Sequence, residues 1–307
     1  MGDEAAPPMP LILAAEDEAA RAAALAAALG WEWVPIGRHV FPDGETRLTL
    51  PPALPLQVAI VCGLQQPNAR LTELLLAAAG ARELGAAHLV LVAPYLAYMR
   101  QDAAFSAGEV VSQRHLGRLL AAYFDAVVTV DPHLHRVASL DEVLPGRRGF
   151  ALSAAALLGE HVAGVLPRAL LLGPDEEAAR WVRAAAAGPG LDHAVCVKQR
   201  RGDRDVEVAL PAAPVHGRAV VLLDDVASTG RTLVAAARGA LVAGAASVDV
   251  AVTHALFVGD ALEAVRAAGV RHVWSSDCVP HPTNAVSVVP LLAHALRTAA
   301  AGPGPAA

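Results

Sequence analysis

The run Ala219-Val220-Val221-Leu222-Leu223-Asp224-Asp225-Val226-Ala227-Ser228-Thr229-Gly230-Arg231-Thr232 decides the fold. Five apolar residues without alternation read as a strand buried on both faces, the mark of a parallel sheet covered by helices. A helix over 231–243, stopped by Gly244, follows at once. Strand, short polar loop and helix together make one β-α unit. The strand drives two adjacent carboxylates out at its end, and small hydroxyl residues and a glycine then open the helix. A helix start offers backbone N–H groups and a positive dipole end, which together suit a phosphate. Gly230 lets the backbone approach closely, and Thr229 and Thr232 add hydroxyl donors. Asp224 and Asp225 are acceptors only, suited to sugar hydroxyls or to Mg²⁺. One aspartate there would read as a helix cap. The whole run asks for a phosphate and a polyol at once, that is, a sugar phosphate.

The same alternation of strand and helix runs outward over nearly the whole chain. Leu11–Ala14 precedes a helix at 17–29, Val58–Cys62 one at about 68–84, and His88–Ala93 a polar loop and a helix at about 109–124. Ala126–Val130 ends in Asp131-Pro132. After helix 153–163 come strand Ala169–Leu172, helix 175–187, strands 194–197, 206–210 and 219–223, then 248–253, helix 260–268 and strand 270–274. Trp31–Leu50, with Asp43-Gly44 inside it, reads as an antiparallel hairpin. The stretch 140–150 reads as a break between similar halves, so two open α/β domains fit better than one barrel. The expected division is 1–148, 149–299 and a frayed tail at 300–307. Ligands in such sheets sit at the carboxyl ends of strands. The polar clusters after Ala93, Val130, Leu172 and Leu223 all lie there.

Composition narrows the function. The 307 residues carry a net charge of −6, with 24 Lys plus Arg against 30 Asp plus Glu. That balance argues against a general nucleic-acid partner, which would show a basic surplus. No stretch of membrane-spanning length is apolar throughout, and Met1–Pro10 lacks the basic flank of a secretory signal, so no membrane association is expected. The three cysteines, Cys62, Cys196 and Cys278, are far apart and read as small buried residues in a reducing cytoplasm.

Three further clusters carry chemistry. Phe41-Pro42-Asp43-Gly44-Glu45 sits at the hairpin tip, offering a stacking face and acceptors that suit adenine and its amino group. Tyr98-Met99-Arg100-Gln101-Asp102, with Phe105 and Gly108-Glu109 beyond, offers a planar fork for phosphate oxygens at Arg100. Gln101 and Asp102 can bond a base edge or orient the arginine. Asp131-Pro132-His133-Leu134-His135 places an imidazole at a strand end, fit for a metal ion or a polyphosphate. Each alone has an ordinary reading: a tight turn, a solvated ion pair, a surface histidine. Two histidines two apart could bind zinc, but no third ligand is near in sequence. Their combination and order give the functional signal.

The 224–232 run resembles the phosphoribosyl-diphosphate loop of phosphoribosyltransferases and of phosphoribosyl-diphosphate synthetases. With Phe41–Glu45, Arg100–Asp102 and Asp131–His133 in order, residues 10–298 are similar to the ribose-phosphate diphosphokinases. The resemblance implies two tandem phosphoribosyltransferase-like domains, each a mostly parallel sheet flanked by helices. It implies transfer of the diphosphoryl group of ATP to the 1-hydroxyl of ribose 5-phosphate, giving PRPP and AMP, with Mg²⁺ as cofactor, in the cytoplasm. By this resemblance Phe41, Asp43 and Glu45 contact adenine in a neighbouring subunit of a homo-oligomer. Arg100, Gln101 and Asp102 hold the nucleotide, His133 sits at the Mg-ATP phosphates, and Asp175 lies near metal and ribose phosphate. Asp224, Asp225, Ser228, Thr229, Gly230 and Thr232 hold ribose 5-phosphate. Lys198 and Arg200, in a charged stretch between two strands, match the family's mobile loop over the reacting phosphates.

The chain departs from the family pattern at Ser228 and Arg231 in the loop, at Leu134-His135-Arg136, and at Glu176-Glu177. Two alternatives stay open on sequence alone. A phosphoribosyltransferase shares the 224–232 loop without needing the first-half clusters. A non-catalytic synthetase-like regulatory subunit shares all of them without turnover.

Overall fold

The computed structural model describes residues 9–201, 205–209 and 213–300, and for 198–201 and 205–209 the backbone alone. The chain forms two compact units: residues 1–152 with 289–307, and 153–288.

In the first unit, β1 (Leu11–Ala14) leads through a 3-10 turn at Glu16–Glu18 into α1 (Ala19–Leu29), then β2 (Glu32–Pro35). A hairpin of β3 (Gly37–Val40) and β4 (Thr46–Thr49) precedes β5 (Gln57–Val61), α2 (Pro67–Glu83) and β6 (His88–Ala93). A long loop, α3 (Ser112–Tyr123), β7 (Ala126–Val130) and β8 (Arg148–Leu152) complete the run. The sheet order is β2-β1-β5-β6-β7-β8, and every pairing in it is parallel. Its core gathers Leu13, Ile60, Leu91, Leu120 and Phe124.

The second unit opens with α4 (Ala155–Val165), β9 (Leu170–Gly173), a 3-10 turn at Glu176–Ala178, α5 (Ala179–Ala187) and β10 (Asp192–Val195). The hairpin of β11 (Val197–Arg201) and β12 (Asp205–Ala209) follows, then β13 (Ala219–Ala227), α6 (Arg231–Val242) and β14 (Ser247–Ala255). It ends with α7 (Ala261–Ala267), β15 (Val270–Ser276) and β16 (Asn284–Val286); α8 (Val289–Ala300) belongs to the first unit. Its sheet order is β10-β9-β13-β14-β15-β16, again parallel throughout. The alternation within β13 explains its continuous apolar run. Val220 and Leu222 face a core shared with α6 and α7, whereas Val221 and Leu223 face the core of α4 and α5.

The two orders are the same once each hairpin is set aside, and each hairpin enters between the second and third strands of its sheet. In each, the chain reverses its direction of build between the first strand and the third, at β1/β5 and at β9/β13. Ligands bind at such switch points in open parallel sheets.

The structure corrects three expectations. Only Gly37–Thr49 forms the antiparallel hairpin, because residues 32–35 pair in parallel with β1 as the sheet edge. The supposed break at 140–150 holds a 3-10 turn at Leu140–Glu142 and the start of β8; Leu140 and Leu144 are fully buried in the first core. Helix α8, assigned from sequence to the C-terminal domain, covers α1 and strands β6–β8, and its Leu292 and Leu296 are fully buried. The expected frayed tail lies outside the described residues but for Ala300, which ends α8. No described helix is long and apolar enough to cross a membrane.

Candidate functional site

At the switch point of the C-terminal unit, β9 and β13 deliver three carboxylates. Asp175 follows Gly173-Pro174 and is buried; its side chain accepts from the Glu177 N–H at 3.1 Å, capping the 3-10 turn. Asp224 and Asp225 stand within β13, which continues past them to pair with β14 as far as Ala255. The Asp225 N–H donates to Asp224 Oδ1 at 2.9 Å, and Asp225 is buried. Burial first, then the neighbouring charges of Asp225 and Asp175, push the Asp224 carboxyl well above the usual carboxylate range. A crevice built this way favours a cation or a dense set of hydroxyl donors.

The loop beyond is pinned from β14. The N–H groups of Leu256 and Phe257 donate to the Ala227 carbonyl at 3.0 and 2.9 Å, and Val258 N–H to the Ser228 carbonyl at 3.0 Å. Gly230 is the N-cap of α6 with φ +70°, and no side chain caps the helix. A Cβ on Gly230 would come within 3.0 Å of Val265 Cγ2 and 3.3 Å of the Ala261 carbonyl. Both the left-handed φ and the packing against α7 therefore ask for glycine. Thr229 is exposed, Ser228 and Thr232 are half-buried, and Arg231 is exposed at the first helical position. The structure thus gathers Asp175, Asp224, Asp225, Ser228, Thr229, Gly230 and Thr232 at one strand edge: carboxylates on one side, a helix start on the other.

The same edge holds groups that sequence reading missed. Phe257 has φ +31° and lies 5.3 Å, ring to ring, from His281. His281 Nδ1 shares a hydrogen bond with Thr283 Oγ1 at 2.7 Å, and burial draws its pKa down. Asn284 Nδ2 donates to Ser275 Oγ and to the carbonyls of Ser276 and Val279, tying the segment after β15. These residues stand alone in sequence, with no motif to flag them. Lys198 and Arg200 fall on β11, and their side chains lie outside the described residues.

In the N-terminal unit, neighbouring strands β6 and β7 bring together the loops that follow them. Arg100 is exposed and Gln101 half-buried; Gln101 Nε2 donates to the Ala103 carbonyl at 2.9 Å. Asp102 is buried and accepts from Arg136 Nε at 3.2 Å, and the Arg136 guanidinium lies 5.6 Å over the Phe105 ring. Arg136, one of the departures from the family pattern, thus links the two loops. Glu109 organises the first: its carboxylate accepts from Phe105 N–H at 2.7 Å and from Gln101 Nε2 at 3.4 Å. The Phe105 amide foremost, with bonds from Ser106 and Gln101, holds the Glu109 carboxyl below its usual range. His133 is half-buried, its Nδ1 3.2 Å from His135 Nε2.

The tip of the β3–β4 hairpin is exposed. Phe41 N–H donates to the Glu45 carbonyl, and Asp43 Oδ1 accepts from Glu45 N–H at 3.1 Å. Phe41 stands edge-on to His39. At the hairpin base, Arg38 forks onto Glu73 of α2 at 2.8 and 3.0 Å. Cys196 and Cys278 are buried as expected, but Cys62 is half-buried. Burial pushes the Cys62 thiol up to about 11 and, with the Asp175 charge, Cys196 up to about 12, so neither is a nucleophile at neutral pH.

Comparison with known proteins agrees with this geometry. Residues 11–123 match the family described as the N-terminal domain of ribose phosphate pyrophosphokinase, and residues 152–284 match the phosphoribosyl transferase domain. A ribose-phosphate pyrophosphokinase of Methanopyrus kandleri is 35% identical over 290 residues, covering 94% of this chain and 98% of the relative. One from Halobacterium salinarum is 33% identical over 289 residues, 93% of this chain and 100% of the relative. The crystal structure of phosphoribosylpyrophosphate synthetase from Mycobacterium smegmatis superposes with a TM-score of 0.81 over 95% of this chain and 98% of that one. At 22% identity, this is a likeness of fold. With both halves matched in order and nearly end to end, the chain belongs to the ribose-phosphate pyrophosphokinase family.

Proposed function

We propose that the chain transfers the diphosphoryl group of ATP to the 1-hydroxyl of ribose 5-phosphate, releasing AMP. The observation that carries this reading is the crevice of the C-terminal unit. Three carboxylates and a helix start lie side by side in a chain whose other half matches the N-terminal domain of the same family. A phosphoribosyltransferase would need only the second half.

The reaction forms a bond from the ribose 1-oxygen to the β-phosphorus of ATP. The bond between that phosphorus and the oxygen bridging to the α-phosphorus breaks, and AMP departs with that oxygen. The hydroxyl proton goes to water. Such transfer is mostly positioning and charge neutralisation. Thr229, Gly230 and Thr232 grip the 5-phosphate with hydroxyls and the first amides of α6, and Ser228 adds a hydroxyl beside them. Asp224 and Asp225 accept from the ribose 2- and 3-hydroxyls and orient the ring. Arg100, Gln101 and Asp102 hold the nucleotide, and His133 lies at its phosphates. Phe41, Asp43 and Glu45 hold adenine on a neighbouring copy of the chain. Lys198 and Arg200 cover the moving diphosphoryl group.

The carboxylate crevice fits a hard divalent cation: burial first, then the charges of Asp225 and Asp175, lift the Asp224 carboxyl, and all three groups are oxygen donors. Asp175, with Asp224 and Asp225, would hold Mg²⁺ there, and His133 would meet the magnesium carried by ATP. When bound, the ion supplies positive charge against the phosphate oxygens. The test is AMP release on mixing the chain with ATP, Mg²⁺ and ribose 5-phosphate, with Lys198→Ala in parallel. We expect AMP formed in step with PRPP, and a loss of about 100-fold or more in the variant. No AMP from the unaltered chain overturns the reading.

A further inference from the structure

The hairpin of β3 and β4 forms a two-stranded sheet of its own, apart from the main sheet of its unit. A two-stranded hairpin is marginal in water by itself, so what ties it to the body sets where its tip stands. Side chains alternate along a strand, so Thr46 and Leu48 share one face, and Arg38, opposite Leu48 in the register, shares it too. Leu48 packs against the first core but stays half-buried. Between the hairpin base and α2 opens a cavity of about 1000 Å³, lined among others by Gly37, Arg38, Leu48, Glu73 and Ala77. Apolar packing alone therefore leaves the hairpin room to pivot.

Glu73 of α2 spans that gap. Its two carboxylate oxygens accept from Arg38 Nε at 2.8 and 3.0 Å, and Oε1 lies 2.8 Å from Arg38 Nη2. Oε1 also accepts from the Thr46 hydroxyl at 3.2 Å. Arg38 lies on β3 and Thr46 on β4, so one carboxylate holds both strands. Thr46 follows Glu45 directly, and Arg38 precedes Phe41 by three residues. The tie thus sits at the root of the exposed Phe41–Glu45 tip.

We propose that Glu73 is a positioning residue for ATP: it holds the β3–β4 hairpin at the angle at which Phe41, Asp43 and Glu45 meet adenine. This rests on the function proposed above, which sends that tip to the nucleotide of a neighbouring copy. Arg38 is 49% exposed, and an ion pair of that kind adds little to folding stability. The contribution is geometric. With the tie in place the hairpin is oriented before ATP arrives, and binding does not have to order it. A sugar phosphate held between β13 and α6 does not depend on the hairpin.

The experiment uses the full chain. Glu73→Ala should raise KM for ATP about 3- to 10-fold, while kcat and KM for ribose 5-phosphate stay within about twofold. Its thermal midpoint should stay within about 3 °C of the unaltered chain's. In hydrogen exchange the amides of Gly37–Val40 and Thr46–Thr49 should exchange about 3- to 10-fold faster, with those of β5 and β6 unchanged. Reversing the pair, Arg38→Glu with Glu73→Arg, remakes the ion pair with opposite polarity, and the Thr46 hydroxyl can accept where it donated. The double variant should return KM for ATP to within about twofold, where each single reversal raises it at least about tenfold. Equal rises in both KM values, an unchanged KM for ATP, or a double reversal no better than the singles overturns the proposal. If Glu73→Ala does not fold, Glu73→Gln, which keeps the size and the bond with Thr46, carries the same test with a rise of about 2- to 5-fold. If the unaltered chain releases no AMP, the proposed function falls, and the hairpin's exchange rates alone decide the tie: an unaltered rate in Glu73→Ala overturns it.

Discussion

Asp224, half-buried as a residue, keeps a proton in the folded chain at pH values where an ordinary carboxyl has lost it, because its carboxyl is desolvated in the crevice and feels the charges of Asp225 and Asp175. The sign of the consequence follows from linkage. Between the ordinary carboxylate pKa and the raised one the folded state binds more protons than the unfolded, so stability falls as pH rises through that interval. Gathering three carboxylates in one crevice therefore costs stability, as functional sites often do. Asp224→Asn should raise the thermal midpoint of the ligand-free chain at neutral pH, by about 2–4 °C for each kcal/mol recovered. Its advantage over the unaltered chain should grow as pH rises above the ordinary carboxylate range, about pH 4, toward the raised value, and vanish below that range. The same variant should weaken ribose 5-phosphate binding at least about tenfold by calorimetry, the value of a lost charged acceptor. Stability curves that stay parallel across pH would show that repulsion at this carboxyl is not what the fold bears. Gly230 makes a second residue-scale case. With φ +70° and Val265 Cγ2 3.0 Å from any added Cβ, Gly230→Ala should cost about 1–3 kcal/mol in urea unfolding. Because the shift falls on the amides that open α6, phosphate affinity should fall with it.

Elements decide how much of this was legible in the sequence. The β13 run could be read directly: five apolar residues, two aspartates and a glycine report a buried strand, its carboxyl end and a helix start, each by a local rule. Edge strands could not. Residues 32–35 alternate too little to separate a parallel edge from a hairpin arm, and β8 begins in a stretch whose Pro145-Gly146 reads as a boundary. The start of α3 at Ser112, later than expected, has a visible cause. The Glu109 carboxylate is taken by the Phe105 amide and Gln101, so residues 109–111 stay in the loop. Motif reading named Arg100, Gln101 and Asp102 but gave no role to Glu109 or Arg136, because what those two do depends on contacts across a turn and between loops. If the loop between β6 and α3 holds the nucleotide, its internal ties matter to ATP and not to the sugar. Glu109→Ala should raise KM for ATP about 3- to 10-fold while KM for ribose 5-phosphate stays within about twofold. A change in both by the same factor would mean that the loop is merely structural. The Glu109 carboxyl sits below its usual range, so the ties should hold at neutral and mildly acid pH and loosen as pH falls through that lowered value.

At the scale of the whole molecule, the two units share one topology but exchange their covering helices. The helix that follows β8, α4, packs on α5 and β14 of the second unit, while the helix that follows β16, α8, packs on α1 and on β6–β8 of the first. Sequence periodicity shows that α8 has an apolar face but carries no mark of which sheet receives it. The structure does: Leu292, Leu296 and Ala299 are buried, His88 Nε2 bonds the Ala299 carbonyl at 2.9 Å, and Gln57 Nε2 donates to the Ala300 carbonyl at 3.0 Å. Residues 1–152 therefore do not carry the whole core they fold around, and the last helix closes it. A single buried leucine is worth about 2–5 kcal/mol against alanine, and a domain is stable by only about 5–15 kcal/mol in all. Leu296→Ala should thus lower stability by about 2–5 kcal/mol in urea unfolding. A chain ended after Val288 loses both leucines and should leave the first unit open. Limited proteolysis of that shortened chain should cut residues 1–152 rapidly and spare 153–288, whose own covering helix is intact. Equal resistance of both units, or a first unit melting where it melts in the full chain, would show that α8 is an ornament on a sheet already closed without it.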